Sequence, residues 1–309
     1  MIEEKKKVSA NETIIRMIHF MHHEKMDLFY KAVDEYSNGL ATSSRYHFRL
    51  KKIVDEKPLK LIRLNDISDD VKKLISSNIF SEDNVFLNDS TKEVIDELIL
   101  EWKNADVYNF HNLKIRNKIL LHGSTGNGKT TIARHISKLA ELPFIEINSD
   151  AIIDSHIGNT SSNINRIFNK IQDPCILFWD EIDSIGRKRG IGTDSAAGME
   201  NDRMVNSILV NLDRLSNKVI LIGATNRRDV LDSAFVRRFD LKYELPAPTD
   251  QEKERFSKQM FEYYKLPMAI MPTSFEKYNS YSEIKSMLMD LARKFVLDTI
   301  LTNNNGQAL

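Results

Sequence analysis

The feature that most narrowly limits the fold of this chain is a glycine-rich octapeptide with the spacing G-x-x-x-x-G-K-T. It comprises Gly123, Ser124, Thr125, Gly126, Asn127, Gly128, Lys129 and Thr130. An apolar run at 119–121 precedes it, and Thr131 continues into a segment with helical spacing. Between a strand and a helix, such a loop aims backbone N–H groups at phosphate oxygens, and the helix adds its positive end. The octapeptide therefore predicts a strand–loop–helix unit that binds phosphate.

Two side chains of this loop have predicted tasks of their own. We expect Lys129 to reach the β- and γ-phosphates of a nucleotide and Thr130 to offer its hydroxyl to Mg²⁺. The alternative is a chance match in a glycine-rich turn. It is disfavoured because the flanking strand and helix are the context that the motif requires.

A second apolar run ends in two acidic residues. Residues 176–179 read Ile-Leu-Phe-Trp, and Asp180 and Glu181 follow. A run this apolar belongs inside a sheet, so we expect both carboxylates at the sheet edge that faces the glycine-rich loop. Asp180 is predicted to hold Mg²⁺ and Glu181 to polarise an attacking water. The alternative is helix capping by Asp180 or Asp183.

Three further polar residues follow a third apolar run, at 219–222. Asn226 is predicted to contact the water or the γ-phosphate, and an ordinary turn asparagine is the alternative. Arg237 and Arg238 come later, and arginines at a domain edge can neutralise transition-state charge at a neighbour's nucleotide. A surface salt-bridge pair is the alternative for the two arginines.

Apolar runs alternate with helical patterns through the middle of the chain. Strands are predicted at 118–122, 143–147, 175–179, 218–223 and 241–245. This alternation predicts an α/β fold in which helices cover both faces of a parallel sheet. We predict three domains, which are a small, mainly helical domain at 1–88, a nucleotide-binding core at 89–248 and a helical region at 249–309.

Several local boundaries are also predicted. Ser68 should cap a helix that contains Val71, Leu74 and Ile75, and residues 59–64 should form a short strand. Ser90 should cap a helix that runs to about Tyr108. Later helices are expected at 250–264 and 282–301, and the final residues, TNNNGQAL, are expected to be disordered.

Composition excludes some classes of protein. The chain has 309 residues and a formal net charge of +0, whereas nucleic-acid binding domains usually carry a basic stripe. Its one cysteine, Cys175, permits no intrachain disulfide and fits a reducing compartment. The longest apolar runs are too short to cross a bilayer. We therefore expect a cytoplasmic protein without membrane or nucleic-acid partners.

Four motifs in order resemble the AAA ATPase family. They are the glycine-rich loop (Walker A), WDEID at 179–183 (Walker B), ATN at 224–226 and LDSAFVRRFD at 231–240. The resemblance extends from about Asp89 to the C-terminal helices. It implies hydrolysis of ATP with Mg²⁺, a helical lid from Thr249 onward, and a homo-oligomer, usually a hexameric ring with active sites between subunits. It also implies that Arg238 is the main arginine finger and Arg237 its assistant.

Longer stretches resemble small bacterial and plasmid AAA proteins encoded beside subtilisin-like proteases. They are ELILEWKNADVYNFHNLKIRNKILLHG, IDSHIGNTSSNINRIF and VNSILVNLDRLSNKVILIGATN. This resemblance implies a protein remodeller or unfoldase acting on such a protease or its substrate. His156 departs from the family, because the pore loop usually carries an aromatic residue there. An ATP-dependent regulatory module that does not thread a polypeptide through a pore therefore remains an alternative function. A helicase loader is a further alternative.

Overall fold

The computed structural model of the chain describes residues 32–33, 36, 67–76, 84–152, 159–186 and 196–305. The chain divides into two compact units, residues 1–60 and 61–309. In the first unit, Ala32 and Val33 are helical and buried. Most of the domain predicted at 1–88 lies outside the described residues, as do the strand predicted at 59–64 and His156.

A mostly parallel sheet forms the centre of the second unit. Within the described residues it has six strands in the order β1-β3-β4-β5-β2-β6. The strands are β1 (Ile75–Ser76), β2 (Lys118–His122), β3 (Phe144–Ile147), β4 (Cys175–Trp179), β5 (Val219–Thr225) and β6 (Leu241–Glu244). Every neighbouring pair is parallel except β1 and β3. The predicted α/β class is confirmed.

Helices cover both faces of this sheet, and two further long helices pack apart from it. The helices of the described residues are α1 (Asp69–Lys72), α2 (Asp89–Lys103), α3 (Ala105–Phe110), α4 (Lys129–Ala140), α5 (Ser149–Ile152), α6 (Asn159–Lys170), α7 (Ala196–Arg214), α8 (Ser233–Arg237) and, apart from the sheet, α9 (Asp250–Tyr264) and α10 (Tyr281–Asn305). Successive residues of a strand point to opposite faces. Leu177 and Trp179 accordingly pack in the core that contains residues of α6 and α7, whereas Ile176 and Phe178 pack in the core that contains residues of α2 and α4. The sheet is therefore buried on both sides.

The first strand corrects a prediction. The helix after Ser68 ends at Lys72, so Leu74 lies beyond it and Ile75 is in β1. Ile75 pairs antiparallel with Ile147, and the N–H of Asn148 donates to the carbonyl of Leu74 at 2.9 Å. A helix this short gains little by itself. Pairing with the sheet edge buries the same apolar residues in the core.

Two further local predictions were wrong. Asn88, and not Ser90, is the N-cap of α2, because its side-chain oxygen accepts the N–H of Thr91 at 2.8 Å. The helix ends at Lys103, and α3 follows as a separate element. At the other end of the chain, α10 continues to Asn305, so residues 302–305 are helical where disorder was expected. The predicted helix at 250–264 is confirmed by α9.

The last two long helices have a core of their own. Phe256, Met260 and Phe261 of α9 pack with Ile284 and Leu288 of α10. A capping box at Thr249 and Glu252 fixes the start of α9, directly after the segment that leaves β6. These helices thus form the small helical body that was expected after the sheet.

Candidate functional site

Glycines shape the loop between β2 and α4. The φ angles of Gly123, Gly126 and Gly128 are 140°, 81° and 85°, which is backbone that side chains rarely tolerate. Gly128 is the N-cap of α4, so the N–H groups of the first helical turn face the loop. At Gly123 a Cβ atom would stand 2.3 Å from the carbonyl oxygen of Leu245. The loop is therefore wrapped tightly against the end of β6.

This close approach makes a stability prediction. Gly123→Ala should lower the free energy of unfolding by about 1–3 kcal/mol, because the new methyl group meets a backbone carbonyl and the positive φ adds strain. Urea or thermal denaturation measures this change. Ser124→Ala, at an exposed neighbour, should shift stability by less than about 0.5 kcal/mol. Equal stability of the two variants would contradict the packing described here.

The Lys129 side chain lies inside the loop. Its residue is 7% exposed, and Nζ donates to the carbonyl oxygens of Gly123 at 2.7 Å and Ser124 at 3.0 Å. Burial lowers the pKa of this ammonium group, while the carboxylates of Asp180 and Asp183 act in the opposite direction. The structure thus holds a cation where the predicted phosphates would lie.

The acid pair meets the loop at the end of β4. The hydroxyl of Thr130 donates to Asp180 Oδ2 at 3.0 Å, and the N–H of Glu181 donates to Asp180 Oδ1 at 2.9 Å. The hydroxyl of Ser149 donates to the Asp180 carbonyl at 3.1 Å and accepts the Trp179 indole N–H, also at 3.1 Å. These contacts fix the strand end. A hydroxyl and a carboxylate at this spacing are ligands that suit Mg²⁺.

Glu181 lies at a sharp turn of the chain. Its φ and ψ are 49° and 41°, so the chain turns sharply after Asp180 and the Glu181 side chain is exposed. Asp183, the other candidate cap, instead accepts the hydroxyl of Thr225 at 2.6 Å. This bond ties the end of β4 to the end of β5, directly before Asn226. Within the described residues, the carboxylates of Asp180 and Glu181 thus make no hydrogen bond that caps a helix.

A cavity of about 390 Å³ collects most of the predicted residues. Its lining includes the loop from Thr125 to Thr131, together with Asp180, Glu181 and Asn226. Gly123 and Ser124 are not in this lining, but their carbonyls hold Lys129. The opposite wall comes from residues 84–88, which precede α2, and from α9 and α10. A helical lid from Thr249 onward was expected from the family resemblance, whereas the part formed by residues 84–88 was not identified from the sequence.

The wall from the C-terminal helices touches the loop directly. The N–H of Ser282, at the start of α10, donates to the carbonyl of Gly126 at 3.1 Å. The aromatic rings of Phe86, Phe256 and Tyr281 contact one another in edge-to-face or tilted arrangements at centroid distances of 5.1 to 5.6 Å. The only sequence signal for these contacts is the aromatic character of three residues that are far apart in the chain.

Asn127 joins the loop to the segment after β6. It is 3% exposed, and its Nδ2 donates to the carbonyl of Pro246 at 3.2 Å. Its Oδ1 is buried and accepts no hydrogen bond. A buried acceptor without a donor costs free energy. The unpaired Asn127 oxygen is therefore consistent with a pocket that binds a polar ligand.

Arg237 and Arg238 lie outside this cavity. Arg237 is exposed, and the Arg238 guanidinium pairs with the carboxylate of Asp213 at 3.3 Å. The structure thus brings together the loop, the acid pair and Asn226, but it leaves both arginines away from the pocket of their own chain.

The described residues contain neither a candidate membrane-spanning helix nor a cluster of metal-ligating side chains. None of the helices there combines the length and the apolar character that a bilayer crossing needs. Nowhere among the described residues do three side chains of the His, Cys, Asp and Glu types cluster as metal ligands.

Residues 119–247 match the family described as "ATPase family associated with various cellular activities (AAA)". The match begins in β2 and ends just after β6, so it covers the whole set of loop, acid pair, Asn226 and arginines. The matched segment is a domain of the AAA ATPase family. Within the matched residues, the glycine-rich loop, the acid pair, Asn226 and the two arginines follow one another in the order that is typical of the family resemblance described above.

Similar AAA proteins come from bacteria, yeast and plants. The uncharacterized AAA family ATPase y4kL of Sinorhizobium fredii is 32% identical over 223 residues, which are 71% of this chain and 66% of that protein. The peroxisomal ATPase PEX6 of Candida glabrata is 38% identical over 173 residues, 53% of this chain and 17% of PEX6. The 26S proteasome regulatory subunit 10B homolog A of Arabidopsis thaliana is 38% identical over 173 residues, 54% of this chain and 43% of that subunit. The chain thus spans less than two thirds of each relative.

Proposed function

We propose that this AAA protein binds Mg²⁺-ATP in the cavity at the end of the sheet and hydrolyses it. One observation carries the proposal, namely that Thr130 and Asp180 stand 3.0 Å apart with Glu181 beside them, in a cavity lined by the glycine-rich loop. Side chains that suit a metal, a phosphate chain and a water molecule thus share one pocket.

Each residue has a role in this proposal. The N–H groups from Gly123 to Thr131 bind the phosphates, and Lys129 leaves the loop carbonyls to bind the β- and γ-phosphates. Thr130 and Asp180 hold Mg²⁺, which when bound neutralises developing charge on the phosphate oxygens. Glu181 accepts a proton from the attacking water, and Asn226 orients that water. Arg238 and Arg237 act on the nucleotide of a neighbouring subunit.

Lys129→Ala should weaken ATP binding. The change removes a charge-assisted contact to the phosphates, and such bonds contribute about 1.5–3 kcal/mol, or roughly 10- to 100-fold in affinity. Titration with a fluorescent ATP analogue measures the dissociation constant. Lys138→Ala, which removes an exposed lysine at the far end of the same helix, is the matched control and should bind normally. An unchanged dissociation constant for Lys129→Ala would remove its phosphate role.

We further propose that the protein is a cytoplasmic homo-oligomer, a hexameric ring, that remodels a protein partner. Support comes from a relative that is named as a proteasome regulatory subunit. The longer resemblance in the sequence points to a subtilisin-like protease, or its substrate, as the partner. Placing Arg238 outside its own pocket also fits a site that a neighbouring subunit completes.

A trapping experiment tests the remodelling role. Glu181→Gln protein should retain a candidate protease or its substrate in the presence of ATP and release it with ADP. Wild-type protein with ATP should alter the partner, measured as a change in its protease sensitivity. A partner that binds equally with ATP, ADP or no nucleotide would contradict ATP-driven remodelling.

A further inference from the structure

His122, the last residue of β2, makes a hydrogen bond with a residue that follows β5. Arg228 Nη1 and His122 Nε2 are 3.0 Å apart. His122 is 6% exposed, whereas Arg228 is exposed. In the sheet, His122 stands opposite Thr225 of β5 on one side and opposite Glu244 of β6 on the other. The bond therefore links the segment after β5 to the residue directly before Gly123, where the glycine-rich loop begins.

The direction of this hydrogen bond follows from the chemistry of the two side chains. A guanidinium group has only N–H donors and keeps its charge in proteins, so Arg228 must donate. His122 Nε2 must then accept, which requires a neutral imidazole ring with its proton on Nδ1. A second proton on the ring would set an N–H group against an N–H group and two positive charges side by side. The bond thus requires neutral His122.

The surroundings of His122 favour this neutral form. Burial lowers the pKa of His122 from its usual value, and the positive charges of Arg228 and Lys129 act in the same direction. The carboxylate of Glu244 acts in the opposite direction, and the pKa of His122 is still lowered. An unperturbed histidine already has a pKa of about 6.5. The His122 ring is therefore ready to accept the Arg228 bond at neutral pH.

The bond is one of two side-chain contacts on either side of Asn226. Before Asn226, the hydroxyl of Thr225 donates to Asp183 Oδ1 at 2.6 Å, which fixes the end of β5 to the segment after β4. After Asn226, Arg228 holds the segment to His122 at the end of β2. Asn226 itself is exposed and lines the cavity. Its position in the cavity thus depends on the residues that flank it.

We propose that Arg228 and His122 are positioning residues that set Asn226 relative to the glycine-rich loop. The inference rests on the proposed function, in which Asn226 orients the attacking water. Neither Arg228 nor His122 lines the cavity, so neither is expected to touch the nucleotide. Loss of the bond should therefore reduce turnover and leave ATP binding unchanged.

Arg228→Ala removes the donor at an exposed position, where substitutions rarely affect folding. We expect kcat to fall by about tenfold, since a small misplacement of a reacting group can cost up to roughly 10²-fold. The dissociation constant for ATP and the thermal unfolding should not change. Arg293→Ala is the matched control, because it removes another exposed arginine, one that pairs with Asp290 at 3.1 Å, and it should leave kcat unchanged.

Two amides at position 122 separate the hydrogen bond from the packing of the ring. The amide group of a glutamine reaches as far as Nε2 and offers an oxygen to Arg228, whereas the shorter asparagine reaches only as far as Nδ1. His122→Gln should therefore keep a kcat close to that of the wild-type protein. His122→Asn should lose about as much as Arg228→Ala. Thermal unfolding of both variants shows whether the buried position tolerates the change.

The double variant completes the test. If the two residues act through one bond, then His122→Asn combined with Arg228→Ala should turn over at the rate of Arg228→Ala alone. A wild-type kcat for Arg228→Ala would overturn the inference, even if the variants at position 122 fail to fold. A folded His122→Gln variant that is as slow as His122→Asn would also overturn it. Hydrolysis that survives both Lys129→Ala and Glu181→Gln would instead overturn the proposed function, whatever Arg228 shows.

Discussion

Glu181→Gln should bind ATP as tightly as the wild-type protein and lose about 10²–10⁴-fold in turnover, which is the usual contribution of a general base. The amide has the shape of the carboxylate, but it cannot accept a proton from water. Glu181 is exposed in the cavity at the end of β4 and makes no contact that holds the loop, so binding should survive. Steady-state phosphate release and a nucleotide titration measure the two quantities.

A second glutamate provides the control for this change. Glu244 is also exposed and also ends a strand of the sheet, β6, but it does not line the cavity. Glu244→Gln should therefore hydrolyse ATP at close to the wild-type rate. If Glu181→Gln hydrolyses ATP as fast as Glu244→Gln, then the role given to Glu181 is wrong.

Arg238→Ala should bind ATP normally and lose roughly 10³–10⁵-fold in turnover, the range measured for arginine fingers. The reason is that Arg238 lies outside the cavity of its own chain, so its removal leaves the ATP contacts of that chain intact. Phosphate release under saturating ATP measures the loss. Arg293→Ala removes an exposed arginine on α10 and serves as the control.

Mixing experiments decide whether Arg238 acts in a neighbouring subunit. Arg238→Ala subunits keep an intact pocket, and Lys129→Ala subunits keep an intact arginine. Mixed assemblies should therefore contain some complete sites and recover part of the activity. No recovery, once differently tagged subunits are shown to assemble together, would mean that Arg238 has a structural role.

The parts of the candidate site that the sequence motifs indicated, and that the structure brings together, are local in sequence. The glycine-rich loop, its flanking strand and helix, and the apolar run that ends at Asp180 are each contiguous. In the sheet, β2 and β4 are both parallel neighbours of β5, so their carboxyl ends lie at the same edge. Asp180 and Thr130 meet for this reason.

The parts that were missed depend on contacts between distant residues. Ile75 joins β1 because Ile147 offers a sheet edge, and no helical periodicity in the sequence reveals that edge. Residues 84–88 line the cavity together with α9 and α10, and the Phe86 ring contacts Phe256 of α9 and Tyr281 of α10. The pairing of Asp213 with Arg238 likewise joins residues 25 positions apart in sequence.

Release of inorganic phosphate from ATP by the purified protein, without any acceptor molecule, is the measurement that tests the proposed Mg²⁺-dependent hydrolysis of ATP. We expect phosphate release that grows linearly with time, requires Mg²⁺, and falls to background in both Lys129→Ala and Glu181→Gln. Phosphate release by the wild-type protein that is no faster than that of the Lys129→Ala protein, across the concentrations at which the chain assembles, would contradict the proposed hydrolysis.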